Sequence, residues 1–290
     1  MAVERVAILG GGLMGSGIAE SVARAGVPVI VRDVDGAAIA AAHERVSASL
    51  GHAVERGKVS EAEAAEIHGR IDYTAELGEI AGADLVIEAV PENAELKAGI
   101  LAQVAGIVSE DALIASNTSS IPIAQLAAGL PHPGRVLGLH FFSPVPVMNL
   151  VEVVIALDTS EATLETAREL AERIGKLAIV TKDRSGFIVN MLLVPYLMAA
   201  VRMYEEGFAS AEDIDEGMKL GCGHPMGPLT LADFIGLDVL YSVCDSLYEE
   251  FKESAYAPPP LLKRMVASGR IGRKAGRGFY DYRRQRVAAS

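Results

Sequence analysis

Cysteine is scarce in this sequence: Cys222 and Cys244 are the only two among 290 residues. Their positions match no metal-ligand or redox spacing, so the sequence predicts no metal site. We expect both to be buried structural thiols. Free thiols of this kind persist in a reducing compartment, which favours a cytoplasmic protein.

Long uninterrupted hydrophobic runs are also lacking. The most apolar late stretch, 187–201, contains Asn190 and Pro195. It is shorter than the roughly 20 residues that a membrane-spanning helix needs. Residues 1–5 carry one positive side chain, and the apolar run behind them soon ends in glycines, which is not the pattern of a targeting segment. We expect no membrane association.

Positive charge is in deficit, with 26 Lys and Arg against 38 Asp and Glu and a net charge of −12. This balance argues against general nucleic-acid binding and against docking on acidic membranes. An anionic ligand would therefore be held by a few local positive groups. The length of the chain favours two domains over one.

Short apolar segments alternate with helical patterns over the first part of the chain. Strand-like runs are "VERVAIL", "VPVIVRD", "ADLVIEAV", "ALIAS", "RVLGLHFF" and "VMNLVEVVIAL". The alternation predicts an α/β fold of Rossmann type, with a mainly parallel sheet covered on both faces. Residues 36–70 read as an inserted helical hairpin, and strand signals almost vanish after Gly186. We expect a domain over 1–185 and an all-helical domain over 186–290.

The glycine pattern near the start of the chain predicts a dinucleotide site. Gly10, Gly12 and Gly15 form G-x-G-x-x-G between a strand and a helix. Such glycines permit a tight turn, a close approach to a pyrophosphate and close helix–sheet packing. Asp33 ends the second strand, where it would bind ribose hydroxyls and favour NAD over NADP, although the neighbouring Arg32 would weaken that preference. The alternative is a tight turn that binds no phosphate.

One histidine stands out from the others because it ends an apolar strand of the predicted sheet. His140 follows "RVLGL", and ligands bind at this edge of such sheets. Histidine titrates near neutrality and suits removal of a hydroxyl proton. Glu152 interrupts the next apolar run, where an unpaired carboxylate would be costly, so it is the predicted partner of His140. A purely structural salt bridge remains the alternative.

Several further segments resemble the 3-hydroxyacyl-CoA dehydrogenase family, and most closely its short, monofunctional 3-hydroxybutyryl-CoA dehydrogenases. They are "ASNTSS", "HFFSPVPVMNLVEV", "GFIVN", "EDIDEGMKLG", "HPMGPL", "DFIGLD" and "GRKAGRGFYDY". The resemblance implies oxidation of an L-3-hydroxyacyl-CoA to a 3-ketoacyl-CoA, reversibly, with NAD. It also implies that His140 is the acid–base group and that the helical domain forms a homodimer.

The resemblance assigns roles to residues that are otherwise unremarkable. Ser119 is implied to meet both substrate and cofactor, and Asn190 to donate to the substrate oxygen. The implied cofactor contacts also include Leu13, Met14, Glu92, Lys97, Ser143 and Arg277. The implied coenzyme A contacts on the hairpin are Ser49 and Arg56, with Lys58 adding positive charge nearby.

Two positions depart from the family pattern. Ser143 stands where many members have asparagine, and Asn149 replaces a common lysine. Because neither touches the His140–Glu152 pair, they leave the expected reaction intact and the acyl-chain length open. Related substrates remain as alternatives: 3-hydroxyadipyl-CoA, a carrier-protein-bound 3-hydroxyacyl group or a hydroxy acid without CoA. A catalytically silent NAD-binding protein is the other alternative.

Overall fold

The structure, a computed structural model, describes residues 2–283. The chain divides into two units, Met1–Arg184 and Ser185–Ser290. Each unit has a hydrophobic core of its own, the first built around the sheet and the second between helices.

The first unit contains an eight-stranded sheet. Its strands are β1 (Val6–Leu9), β2 (Val29–Arg32), β3 (Ile71–Thr74), β4 (Leu85–Glu88), β5 (Leu113–Ser116), β6 (Val136–Phe141), β7 (Leu150–Ile155) and β8 (Leu177–Lys182). The strand order is β3-β2-β1-β4-β5-β6-β7-β8. All neighbouring pairs are parallel except β6 and β7. Every residue of β1, β4 and β5 is buried, so both faces of the central sheet are covered, and the predicted Rossmann-type architecture is confirmed.

Six α-helices accompany these strands within residues 2–184. They are α1 (Leu13–Arg24), α2 (Gly36–Glu55), α3 (Glu61–His68), α4 (Ala94–Ala105), α5 (Ile123–Ala127) and α6 (Glu161–Arg173). Helices α2 and α3 form the hairpin, and local sequence signals define where each begins. The Asp35 side chain accepts the Ala38 N–H at the start of α2, and Ser60 forms a capping box with Glu63 at the start of α3.

The second unit is helical, as predicted. Its helices are α7 (Val189–Glu205), α8 (Ala211–Cys222), α9 (Pro228–Ile235), α10 (Leu237–Phe251) and α11 (Pro260–Ala267). Over residues 185–283 the β pairing is confined to isolated bridges that Arg277 makes with Gly272 and Asp281. Within residues 2–283 no helix has both the length and the apolar composition that crossing a membrane requires.

The prediction for the two thiols is half wrong. Cys244 is buried in α10, but Cys222 is exposed at the end of α8. The end of α8 is exposed as a whole, since residues 220–223 are all exposed and Leu220 is 82% exposed. Both cysteines are free thiols.

Candidate active site

The histidine and glutamate predicted to pair do so. His140 and Glu152 are directly opposed in the antiparallel register of β6 and β7, which places both side chains on one face of the sheet. His140 Nδ1 lies 2.6 Å from Glu152 Oε2. The residues are 6% and 0% exposed. The buried carboxylate accepts a hydrogen bond from the Nδ1–H group, so it fixes the tautomer and the plane of the ring and leaves the lone pair of the neutral ring on Nε2.

Two further contacts hold the end of β6 in place. The Phe142 ring packs on the His140 ring with centroids 4.6 Å apart. The backbone N–H of Phe141 donates to Asn117 Oδ1 at 2.9 Å, which ties β6 to the residue after β5. Asn117 was not singled out from the sequence. Its position directly behind a predicted strand was the available signal.

Two glycines of the predicted loop are required by the chain itself. Gly10 follows β1 with φ of +90°, and a Cβ there would lie 2.9 Å from Ala89 O. At Gly15 a Cβ would lie 1.8 Å from Gly10 O, because α1 packs directly on the turn. Both demands are those of a tight strand-to-helix turn.

Gly12 has a different explanation, because a Cβ built there meets no described atom within 4 Å. The space in front of it is open, and Gly12 and the following Leu13 are exposed. Gly12 is the N-cap of α1, and no side chain among residues 2–283 caps that end. Open space beside uncapped amides at a helix N-terminus fits a diphosphate. The loop therefore suits a dinucleotide better than a turn that binds no phosphate.

Asp33 lies beside this loop, just after β2. Its Oδ2 accepts the Gly11 N–H at 2.7 Å and its Oδ1 accepts the Val34 N–H at 2.7 Å. Arg32 donates from Nε to Ala75 O at 3.2 Å. The Asp33 carboxylate is thus held at the edge of the glycine loop. The Arg32 side chain instead binds a backbone carbonyl in the segment after β3.

Glu92 organises the loop that carries Ser119. Its Oε1 accepts the Thr118 hydroxyl at 2.6 Å, the Ser119 N–H at 2.9 Å and the Ser120 N–H at 3.2 Å. Burial alone would raise the pKa of Glu92, but the Lys97 ammonium and these donors lower it, and the net pKa lies below its ordinary value. Glu92 is therefore an anion that shapes this loop.

Lys97 is buried, with only 1% of its side chain exposed. Its Nζ donates to Glu88 Oε1 at 2.8 Å and lies 3.3 Å from Glu92 Oε2. Glu88 was missed in the sequence, although it interrupts the apolar run "ADLVIEAV" just as Glu152 interrupts its own strand. The same argument, that a carboxylate in an apolar strand needs a partner, would have found it.

The hairpin residues lie on α2 and just beyond it. Ser49 is half-buried, Arg56 is the exposed C-cap residue of α2, and Lys58 is exposed. Ser49 and Arg56 are about two helical turns apart and so share a face. A cavity of about 90 Å³ brings together residues of the glycine loop, the hairpin and the segment after β6: Leu13, Ser16, Gly17, Glu20, Arg45, Val46, Ser49, Pro144, Val145 and Pro146.

The remaining predicted site residues are half-buried or exposed. Met14 is half-buried in the first turn of α1, and Ser143 is exposed two residues after β6. In the helical unit, Asn190 is half-buried in the first turn of α7. Arg277 is exposed within the bridged segment near the C-terminus. Among residues 2–283 no group of His, Cys, Asp and Glu has the arrangement of a metal site.

Comparison with known proteins identifies both units. Residues 5–184 match the NAD binding domain of 3-hydroxyacyl-CoA dehydrogenase, and residues 186–282 match the C-terminal domain of that enzyme. A 3-hydroxybutyryl-CoA dehydrogenase of Mycobacterium tuberculosis is 51% identical over 283 residues, which span 97% of this chain and 99% of the relative. A probable 3-hydroxybutyryl-CoA dehydrogenase of Bacillus subtilis is 44% identical over 97% of this chain and 98% of the relative.

Solved structures agree with the sequence comparison. FadB2 of Mycobacterium tuberculosis superposes with a TM-score of 0.96 at 51% identity, covering 97% of this chain and 100% of that one. (S)-3-hydroxybutyryl-CoA dehydrogenase of Ralstonia eutropha gives a TM-score of 0.91 at 45% identity, covering 97% and 99%. The chain belongs to the 3-hydroxyacyl-CoA dehydrogenase family.

Proposed function

We propose that this chain is an NAD-dependent 3-hydroxybutyryl-CoA dehydrogenase, which interconverts (S)-3-hydroxybutyryl-CoA and acetoacetyl-CoA. The observation that carries the proposal is the His140–Glu152 contact of 2.6 Å, buried on adjacent strands of a dinucleotide-type sheet. The relatives named for this reaction, 51% identical over nearly the whole chain, supply the substrate class.

The acid–base work falls to His140. In the oxidation its Nε2 takes the proton of the substrate 3-hydroxyl, and in the reduction it returns that proton to the 3-keto oxygen. Glu152 faces the resulting imidazolium at Nδ1 and stabilises its charge in a site where water does not reach the carboxylate. A nicotinamide cofactor held at the glycine loop would supply the acceptor for the hydride that leaves C3 of the substrate.

The residues proposed to hold the cofactor lie around the start of α1. Gly12 leaves open space in front of the α1 amides, where we propose the diphosphate binds, and Asp33 is proposed to accept ribose hydroxyls. A carboxylate at that position repels a 2′-phosphate, so we propose a preference for NAD over NADP. Further proposed cofactor contacts are Gly10, Leu13, Met14, Gly15, Glu92, Lys97, Ser119, Ser143 and Arg277.

Coenzyme A is proposed to bind along the hairpin. Ser49 and Arg56 share one face of α2, and Lys58 follows at its end. Arg56 and Lys58 supply local positive charge in a chain whose net charge is −12. Ser119 and Asn190 are proposed to contact the acyl end of the substrate.

The test is an NADH oxidation assay with acetoacetyl-CoA, with longer ketoacyl-CoAs, 3-ketoadipyl-CoA and NADPH in parallel. We expect acetoacetyl-CoA to be the best substrate, NADPH to be the poorer reductant, and His140→Ala to lose at least about 10²-fold in kcat. Arg56→Glu should raise the KM for acetoacetyl-CoA more than the KM for NADH. An absence of NADH oxidation by the wild-type protein would refute the proposal.

We further propose that the protein is a cytoplasmic homodimer joined through the helical unit. Large apolar side chains are exposed there, including Leu192, Phe208 and Leu220 at 73%, 78% and 82%. Burying such side chains between two copies of the chain would remove apolar surface from water, which favours association. Light scattering should give twice the 30.5 kDa of the chain, and Leu192→Asp with Leu220→Asp should lower the mass. Leu157→Asp, at a 91% exposed residue of the other unit, is the control.

A further inference from the structure

Glu88, the last residue of β4, is a fully buried carboxylate with both oxygens engaged. Oε1 accepts the Val90 N–H at 2.6 Å and the Lys97 ammonium at 2.8 Å. Oε2 accepts the Ser116 hydroxyl at 2.5 Å and the same ammonium at 3.1 Å. This set links the ends of β4 and β5 to α4, at the edge of the sheet where His140 also lies.

Lys97 connects Glu88 to a second carboxylate, that of Glu92. Its Nζ also donates to Val90 O at 3.1 Å and lies 3.3 Å from Glu92 Oε2. The lysine side chain is only 1% exposed, whereas Glu92 is 36% exposed. The ammonium is therefore fixed from the buried side, and it holds the outer carboxylate by one oxygen.

The other oxygen of Glu92 holds the loop after β5. Oε1 accepts the Thr118 hydroxyl at 2.6 Å and the Ser119 N–H at 2.9 Å. Thr118 is itself fully buried. The backbone of Ser119 is thus fixed by a chain of charge-assisted hydrogen bonds that begins at Glu88.

We propose that Glu88 is a positioning residue for Ser119, acting through Lys97 and Glu92. The inference rests on the proposed function, in which the Ser119 hydroxyl contacts substrate and cofactor. Without the Glu88 charge, the buried ammonium has Glu92 as its one anionic partner and draws that carboxylate inward. Glu92 then gives up donors of the 118–120 loop, and Ser119 shifts away from the reacting atoms.

A double-mutant cycle tests this coupling. Glu88→Gln should lower kcat for acetoacetyl-CoA reduction about tenfold, since small displacements of a positioned group are costly. Ser119→Ala should also lower kcat. In the Ser119→Ala background, Glu88→Gln should cost less than about twofold, because the group it positions is already gone. The same fold-loss in both backgrounds would overturn the proposal, since it is what a purely structural role predicts.

Two further variants separate a positioning role from a general loss of stability. Ser116→Ala removes one donor to Glu88 and should give a smaller kcat loss with the same dependence on Ser119, even if Glu88→Gln does not fold. Asp84→Asn is the matched control, because Asp84 precedes β4 at its opposite end and binds the Glu4 and Arg5 amides. It should lower the melting temperature and leave kcat unchanged.

The outcomes separate this inference from the proposed function. An inactive wild-type protein would overturn both. If the wild-type protein is active, the kcat loss caused by Ser116→Ala decides the positioning role. The same loss with and without the Ser119 hydroxyl would overturn that role alone. The dissociation constant of NADH, measured by fluorescence, should rise in Ser116→Ala together with the loss of kcat, because the coupling acts on Lys97, Glu92 and Ser119, which are also proposed cofactor contacts. A loss confined to NADH binding would instead contradict the proposal.

Discussion

At the scale of single residues, two carboxylates are buried in the sheet, and each is paired with a basic side chain. Glu152 is 0% exposed and contacts His140 at 2.6 Å. Glu88 is equally buried and contacts Lys97 at 2.8 Å. In each case a charge inside an apolar strand is tolerated because a cation or an ionisable ring is paired with it. The two pairs differ in their proposed tasks, since the first is proposed to serve proton transfer and the second to position the loop that carries Ser119.

Glu152→Gln tests the first pair. The amide keeps the size of the side chain but cannot stabilise the imidazolium, so we expect kcat to fall by about 10²-fold or more. The dissociation constant of NADH should change little, because Glu152 lies on β7, which β4, β5 and β6 separate from β1 and the glycine loop. Stopped-flow reduction of acetoacetyl-CoA measures the first quantity and fluorescence titration the second. A kcat within twofold of the wild-type value would contradict the assigned role.

Gly11 illustrates a requirement that the G-x-G-x-x-G spacing does not contain. A Cβ on Gly11 would lie 2.4 Å from the Ala42 Cβ of α2, and the Gly11 N–H donates to Asp33. Gly11→Ala should therefore push the loop and the hairpin apart, destabilise the fold by about 1–3 kcal/mol and weaken NADH binding. Denaturant titration and NADH fluorescence measure these effects.

Gly217→Ala provides the comparison for that variant. Gly217 is an exposed position inside α8, and a Cβ there meets no described atom within 4 Å. Alanine should stabilise the helix by about 0.5–1 kcal/mol without changing the affinity for NADH. If Gly11→Ala behaved like Gly217→Ala, the close approach of the loop to α2 would be disproved.

At the scale of elements, hydrophobic periodicity predicted most of the first unit and missed two strands and one helix. The buried runs of β1, β2, β4, β5, β6 and β7 stood out because their residues are mostly apolar. Strand β3 reads Ile-Asp-Tyr-Thr, and β8 lies at the sheet edge with exposed residues along it, so neither has a buried-strand pattern. Helix α6, with the sequence "EATLETARELAER", is mostly polar and was not singled out.

Pairing between strands explains what the sequence could and could not predict about the site. The His140–Glu152 pair was predictable because both residues interrupt apolar runs that had to become strands. The role of Glu92 in holding the 118–120 loop was not, because it depends on which loops meet at the ends of β4 and β5. That adjacency follows from the strand order, which no local pattern encodes.

The hairpin contains a pH-sensitive contact of its own. His68 at the end of α3 stacks edge-on against His43 of α2 with centroids 4.4 Å apart. Its pKa is lowered from 6.5, first by burial and then by the His43 charge. The folded state therefore binds fewer protons than the unfolded chain, so this contribution to stability is present above about pH 6.5 and is lost as the pH falls through the folded-state pKa.

His68→Gln should flatten that dependence. We expect the melting temperature of the wild-type protein to fall as the pH is lowered from about 7.5 to 5.5, and the variant to fall less, because glutamine takes up no proton. Differential scanning calorimetry in buffers of matched ionic strength measures both curves, and His52→Gln, at an exposed position, serves as the control. Parallel curves for His68→Gln and the wild-type protein would contradict this assignment.

At the scale of the whole molecule, the chain is built as two units with separate cores. Each unit can therefore lose its structure at its own denaturant concentration.

Cys244 offers a direct readout of the helical unit. Its thiol is fully buried in α10, and burial raises its pKa to about 12, although the Arg202 charge opposes the shift. Because the thiolate is the reactive form, a Cys222→Ser protein should react with a disulfide reagent at least about 10³-fold more slowly when folded than in guanidinium. The denaturant concentration at which Cys244 becomes reactive then marks the opening of the second unit. If the sheet unit unfolds first, activity should disappear while Cys244 is still protected from the reagent. Rapid labelling of Cys244 in the fully active protein would contradict its burial in the second core.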